Sequence, residues 1–227
     1  MRILKILLII LLLFVVPFVA SASYPHNKTV YNSNVCNEKV IALTFDDGPH
    51  PRLTNQILDV LDEYDIKATF FVIGVNVDNY HKPLTRAIEE GHEIGNHTNS
   101  HSILKSMETK KIQEEIDLCR RKIFNLTGYN ANLIRPPCGL YDEKLINVAK
   151  KKNDKIILWN IDTHDWAHMP TEDMVSNVVT NVKGGDIILF HDYISGESNT
   201  VEALKRLIPI LKAKGYEFVT VSQLLQK

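Results

Sequence analysis

The sequence predicts an α/β protein, a distorted or incomplete (β/α) barrel with about seven parallel strands, and three observations carry that expectation. Short apolar runs alternate with segments of helical periodicity along most of the chain. Polar clusters follow five of the apolar runs directly. The 227 residues hold no internal repeat, low-complexity tract or linker that would divide the alternation. A full eight-stranded barrel usually takes ~250 residues, so closure is expected to be incomplete.

The elements follow in order. Residues 40–43 read as a strand, and Leu53, Ile57, Leu61 and Tyr64 mark the helix after it. Residues 68–73 form a second strand, followed by a helix that runs to Glu90 and is closed by Gly91. A short strand is expected at 93–95 and a long helix at 108–126, stopped by Gly128. Then come strand 132–134, helix 143–152, strand 156–161 and helix 171–182. The apolar strand 187–190 precedes a helix that carries Val201, Leu204, Ile208 and Leu211 on one face. Strand 217–219 and a short helix end the chain.

The N-terminus has a different character. Arg2 and Lys5 precede an apolar run, residues 6–20, and then Ala20-Ser21-Ala22. A basic start, an apolar stretch and a small-residue end describe a secretory signal peptide over residues 1–22, cut after Ala22. The alternative is an uncleaved anchor, for which the 17 residues 6–22 sit at the low edge of the roughly 17–25 that span a bilayer. Either route takes the domain to the cell surface, the wall or the medium. Residues 23–37 are polar and aperiodic, a tether, and residues 38–227 form the domain. A net charge of -1 offers no basic excess for nucleic acid. Membrane contact is expected only through the N-terminal segment, and only if that segment stays uncleaved. Three cysteines cannot build a disulfide framework. Cys119 lies on the apolar face of its helix with Ile112, Ile116, Ile123 and Leu126, as a core residue does.

The clusters carry the chemistry. They are Thr44-Phe45-Asp46-Asp47-Gly48-Pro49, His97-Thr98-Asn99-Ser100-His101, Arg135-Pro136-Pro137-Cys138-Gly139, Asp162-Thr163-His164-Asp165-Trp166 and Leu189-Phe190-His191-Asp192. Each stands at the carboxyl end of a predicted strand, and in a (β/α) barrel those ends meet on the face where active sites are built. His97 and His101 are spaced i, i+4, which on a helix directs both imidazoles one way. Two histidines and a carboxylate leave coordination positions open, as a catalytic metal requires. Of two adjacent carboxylates, one can hold the cation while the other takes a proton from water. His191 closes an apolar strand at the same mouth, where an imidazole can protonate a leaving group. His92 and His164 are expected near the site without a duty.

In this order the five clusters resemble the motifs of the polysaccharide deacetylase family, the NodB-homology or carbohydrate esterase 4 domain. The similarity runs from about Val40 to Leu225 and includes the segments 68–74 and 91–97. It implies Asp46 as general base and Asp47, His97 and His101 as ligands of one divalent metal, commonly zinc. It implies that Arg135 orients Asp46 and that Asp165 positions His191, the general acid. The backbone N–H at Cys138 would help stabilise an oxyanion. Pro137 and Cys138 would border the substrate, with Trp166 and Leu189 as apolar walls around the acetyl methyl. The substrate implied is a polysaccharide bearing N-acetylglucosamine or N-acetylmuramic acid, in peptidoglycan or a chitin-like polymer. Cys138 departs from the family pattern, which usually has an aromatic there. Two alternatives remain: an O-acetyl esterase on a xylan-like polymer, and a catalytically weak carbohydrate-binding protein. A non-haem iron oxygenase could use the same two histidines and carboxylate, but would leave Asp46 and His191 without purpose.

Overall fold

Nine parallel strands form one sheet among residues 28–227, the part of the chain that the computed structural model describes. They are β1 (Val30–Tyr31), β2 (Val40–Asp46), β3 (Thr69–Val72), β4 (Glu93–Asn96), β5 (Leu133–Ile134), β6 (Lys155–Ile157), β7 (Ile161–Asp162), β8 (Ile187–His191) and β9 (Glu217–Phe218). The order is β1-β6-β5-β4-β3-β2-β8-β7, with β9 beside β2. The sheet curls into a distorted (β/α) barrel. The expected signal peptide, residues 1–22, lies outside the described residues, as do residues 23–27 of the expected tether.

β2 is the hub of the sheet. All seven of its residues are buried, as happens when helices cover one face of a parallel strand and barrel side chains fill the other. Phe45 stacks on Phe70 of β3 and Phe190 of β8 at centroid distances of 4.9 and 5.8 Å. Outside the sheet lie α1 (Leu53–Glu63), α2 (Gly74–Asn79), α3 (His81–Glu89), α4 (Thr109–Thr127), α5 (Glu143–Lys152), α6 (Thr171–Asn181), α7 (Thr200–Ala213) and α8 (Val221–Leu224). The longer helices bury an apolar stripe; in α4 it is Ile112, Ile116, Cys119 and Ile123.

Three expectations change. The single helix before Glu90 is two, α2 and α3, divided at Tyr80. Pro83 has no N–H to give to the carbonyl of Asn79, so a continuous helix would lose that bond and clash there. The strand expected at 156–161 is also two. The backbone N–H of Leu158 donates to Tyr31 O at 2.7 Å and that of Asn160 donates to Ile187 O at 3.1 Å. Residues 158–160 therefore cross between opposite ends of the sheet, and the chain itself spans the seam. Lastly, part of the expected tether belongs to the barrel. Val30 and Tyr31 pair with β6, and Asn34 N–H donates to Gly185 O at 2.8 Å.

Gly95 on β4 permits a close approach. A Cβ there would collide with the ring of Phe71, which itself packs under the Arg135 guanidinium at 4.1 Å. Gly95→Ala is expected to cost about 1–3 kcal/mol, the usual penalty for overpacking. A thermal melt should register this as a fall of about 2–4 °C in Tm for each kcal/mol.

Candidate active site

The carboxyl end of β2 starts the site. Asp47 has a left-handed backbone (φ 78°), followed by Gly48 and a cis peptide bond to Pro49. Asp192, one residue beyond β8, holds this turn. Its Oδ1 accepts from Gly48 N–H at 2.9 Å and its Oδ2 from the Thr54 hydroxyl at 2.6 Å. Gly48 has to be glycine, because a Cβ would overlap the Asp192 carboxylate. Asp192 is fully buried. Burial and the charges of Asp47 and Asp46 push its pKa up to about 7, against the two hydrogen bonds.

After β4 the chain places His97 and His101, though not on a helix as their spacing implies. Residues 97–104 are a loop, with left-handed backbone at Thr98 (φ 68°) and His101 (φ 57°). Strain of that kind in residues other than glycine needs outside support. Glu115 of α4 supplies it. Its Oε2 accepts from the backbone N–H groups of Asn99 and Ser100 at 3.0 and 2.9 Å, and its Oε1 from the Ser100 hydroxyl at 2.9 Å. The imidazole centroids thereby come to 5.1 Å apart.

One donor set converges here. Asp47 Oδ1 lies 3.4 Å from His97 Nε2 and 3.2 Å from His101 Nε2. His97 Nδ1 is 2.7 Å from the Arg135 carbonyl, which can only accept, so the proton sits on Nδ1 and Nε2 turns a lone pair towards Asp47. Asp47 Oδ1 is buried and has no hydrogen-bond partner among the described residues. A buried carboxylate oxygen facing two imidazole nitrogens is costly unless a cation sits between them, so the residues fit a divalent metal. Burial opposes ionisation of Asp47, but His101 and His97 hold its carboxyl well below the usual range whenever those rings carry a proton towards it.

Two acid–base pairs flank that set. On one side, the Arg135 guanidinium, 0% exposed, donates to Asp46 Oδ1 and to Thr44 Oγ1, both at 2.8 Å. On the other, His191 Nδ1 lies 2.8 Å from Asp165 Oδ1. Asp165 is fixed in turn by its neighbours. It accepts from the N–H groups of Trp166 and His191 and from the Thr200 hydroxyl. Burial works against a charged His191 ring, but the hydrogen bond and charge of Asp165, with Asp46 and Asp47 behind, carry its pKa up to about 9.

A cavity of about 440 Å³ collects Asp46, Asp47, His97, His101, Cys138, Trp166, Leu189 and His191. Arg135 and Asp165 stand buried behind it. Pro137 is buried and does not line the cavity. Cys138 lines it with left-handed backbone (φ 56°), and its N–H meets no acceptor among the described residues. Trp159 and Asp162 also line the wall. Trp159 is brought there by the bend in the strand expected at 156–161. His92 lies at the far end of the barrel, where its Nδ1 accepts from Ala68 N–H ahead of β3, and burial pushes its pKa down to about 4.

Residues 33–156 match the polysaccharide deacetylase family. A peptidoglycan-N-acetylglucosamine deacetylase of Bacillus cereus is 43% identical over 84% of this chain and 90% of its own. The chain belongs to the polysaccharide deacetylase family. Among solved structures, a peptidoglycan N-acetylglucosamine deacetylase superposes with a TM-score of 0.85 at 36% identity, covering 88% of this chain and 94% of that one. A family 4 acetyl xylan esterase from Clostridium thermocellum, solved with cobalt, gives 0.77 at 37% identity over 82% and 90%.

Glu115 is one residue of this polysaccharide deacetylase that sequence reasoning missed, as it did Trp159, since a glutamate on a polar helix face gives no signal of what it caps. Glu115→Ala is expected to lower divalent-metal affinity about tenfold, on the order of one lost charge-assisted hydrogen bond. Glu115→Gln, which keeps an acceptor, should lose much less. Zinc titration by calorimetry decides, and equal affinities in all three proteins would show that the loop holds itself.

Proposed function

We propose that this protein is a secreted or wall-associated, zinc-dependent deacetylase that removes N-acetyl groups from N-acetylglucosamine or N-acetylmuramic acid units of peptidoglycan or a chitin-like glycan. The observation that carries this reading is one cavity in which the Asp47–His97–His101 donor set lies between an Arg135-paired carboxylate and an Asp165-paired imidazole. The relatives named above act on the same type of bond or its ester counterpart.

In this reading Asp47, His97 and His101 hold the metal, which when bound polarises a water and the acetyl carbonyl. Asp46 accepts the proton of the attacking water. Arg135 restrains Asp46 to one rotamer and balances its charge. The free N–H of Cys138 points to a donor for the developing oxyanion. His191 delivers the proton that an amide nitrogen needs before it can leave, and Asp165 keeps the ring's Nδ1 protonated so that Nε2 faces the substrate. Trp166 and Leu189 enclose the acetyl methyl. Cys138 lines the substrate side, where its small side chain leaves the groove wider than an aromatic would. A second reading, an O-acetyl esterase, is favoured by the likeness to the acetyl xylan esterase. Acetate release from peptidoglycan, chitooligosaccharides and acetylxylan, with and without chelator, separates the two.

Asp47→Ala, His97→Ala and His101→Ala should each remove stoichiometric zinc and acetate release while the circular dichroism spectrum stays folded. Full activity in a metal-free preparation would contradict the reading.

His191 and Asp46 are separable by leaving group. An aryl acetate expels a stable anion unaided, whereas an amide needs its nitrogen protonated. His191→Ala should lose roughly 10²- to 10⁴-fold in kcat/KM on an N-acetylated oligosaccharide and far less on the aryl ester. Asp46→Asn should lose on both alike. Equal losses for His191→Ala on the two substrates would remove it from the role of acid.

Cys138 offers a test of the groove. Cys138→Ser should retain zinc affinity and near-normal activity, and Cys138→Tyr should shift the preference among the glycans. A strong fall in zinc affinity for the serine variant would make the thiol a ligand instead.

A further inference from the structure

A second cavity, about 340 Å³ in volume, opens beside the first, and the reaction described above does not use it. His50, Arg52 and Gln56 form one wall, from the β2–α1 loop and the start of α1. Tyr193, Ile194 and Ser195, in the loop that leaves β8, form the other. These loops continue directly from the reactive strands. His50 follows Asp47 by three residues and Tyr193 follows His191 by two, so their Cα atoms lie within ~11 and ~8 Å of those residues. The Asp192–Gly48–Thr54 hydrogen bonds fasten the two loops to each other.

Its chemistry contrasts with that of its neighbour. Three carboxylates, Asp46, Asp47 and Asp162, line the reaction cavity. Arg52 is the one charged side chain that lines the second, and no carboxylate does. The Arg52 guanidinium makes no ion pair or hydrogen bond among the described residues, so its donors are uncommitted. Tyr193 is 36% exposed, and its ring is set edge-on to that of His50 at a centroid distance of 4.9 Å. An uncommitted guanidinium beside a braced aromatic ring, within a disaccharide's span of an acidic reaction centre, suits a sugar that carries an anion.

We propose that this cavity is a subsite for a carboxylate-bearing sugar of the glycan strand, with Arg52 receiving the carboxylate and Tyr193 packing against the sugar ring. The proposal rests on the deacetylase reading for the position of the strand and narrows it, because a neutral chitin-like polymer has no carboxylate for Arg52. Two sources of the carboxylate exist in peptidoglycan: the lactyl group of a muramic acid that carries no peptide, and the peptide itself where one is amide-linked to that group.

The experiment measures equilibrium binding and acetate release for the zinc-loaded wild-type protein, Arg52→Ala and Arg52→Gln. Three probes of equal sugar length serve: a chitooligosaccharide, a peptide-free glucosamine–muramic acid oligosaccharide, and the same oligosaccharide with peptides. Arg52→Ala should weaken the peptide-free acidic probe roughly tenfold more than the chitooligosaccharide, mostly in Kd and KM, with kcat little moved. Added salt should narrow the difference. An Arg52 effect confined to the peptide-bearing probe keeps the subsite and assigns the carboxylate to the peptide. Equal effects on acidic and neutral probes, or none on either, overturn the subsite. If wild-type protein binds the acidic probes in an Arg52-dependent way and releases no acetate, the subsite stands and the deacetylase reading falls. Arg52→Gln, which keeps most of the side chain's reach, separates loss of charge from local disturbance.

Discussion

One buried cation organises this barrel. Arg135 is wholly enclosed, and its guanidinium donates to Asp46, Thr44 and the carbonyls of Ile157 and Leu158. Phe71 and Trp159 cover it at 4.1 and 5.5 Å. A single side chain from the end of β5 thus reaches β2, satisfies the carbonyls where the chain turns across the seam, and sets the rotamer of the carboxylate nearest the donor set. Removing one partner of such a pair leaves an uncompensated charge and typically costs about 3–5 kcal/mol. The backbone carbonyl of the same residue fixes the His97 tautomer. In the proposed reading, folding and chemistry therefore share one residue.

The remaining acids are differentiated by their surroundings more than by their type. Asp47 faces two imidazoles and stays ionised despite burial. Asp165 is saturated by donors, and its role passes through the ring it holds. Asp192 has no such counter-charge and is pushed towards neutrality, which suits a residue that ties two loops together beneath an already acidic cavity. Four aspartates can occupy one small volume because each answers to different neighbours.

How much of this was legible beforehand follows from the range of the forces involved. Strand–helix alternation is local, so the parallel sheet and the placing of polar clusters at strand ends could be read from β2, β8, α4 and α5 directly. What escaped depends on partners far away in the chain. The spacing of His97 and His101 looks helical, yet left-handed residues and Glu115 of α4 achieve the convergence. The run 156–161 looks like one strand, yet Arg135 and Tyr31 claim part of its backbone and Ile187 the rest. The second cavity was invisible for the same reason, since Arg52 and Tyr193 are neighbours only because β2 and β8 are. The division at Tyr80 is different: Pro83 announces it, and periodicity alone overlooks the sign.

The placing of β1 has a consequence for how the molecule faces its surroundings. Because β1 runs parallel to every other strand, the chain enters the barrel at the end opposite the reactive mouth. Residues 29–34 are then pinned to that end and seam by hydrogen bonds to Ile156, Leu158 and Gly185. Thr29, the residue ahead of β1, therefore sits at the back of the barrel. The rim that carries Asp46, Asp47 and His191 stands at the other end, like the lip of a cup, and β1 leaves the way across it clear.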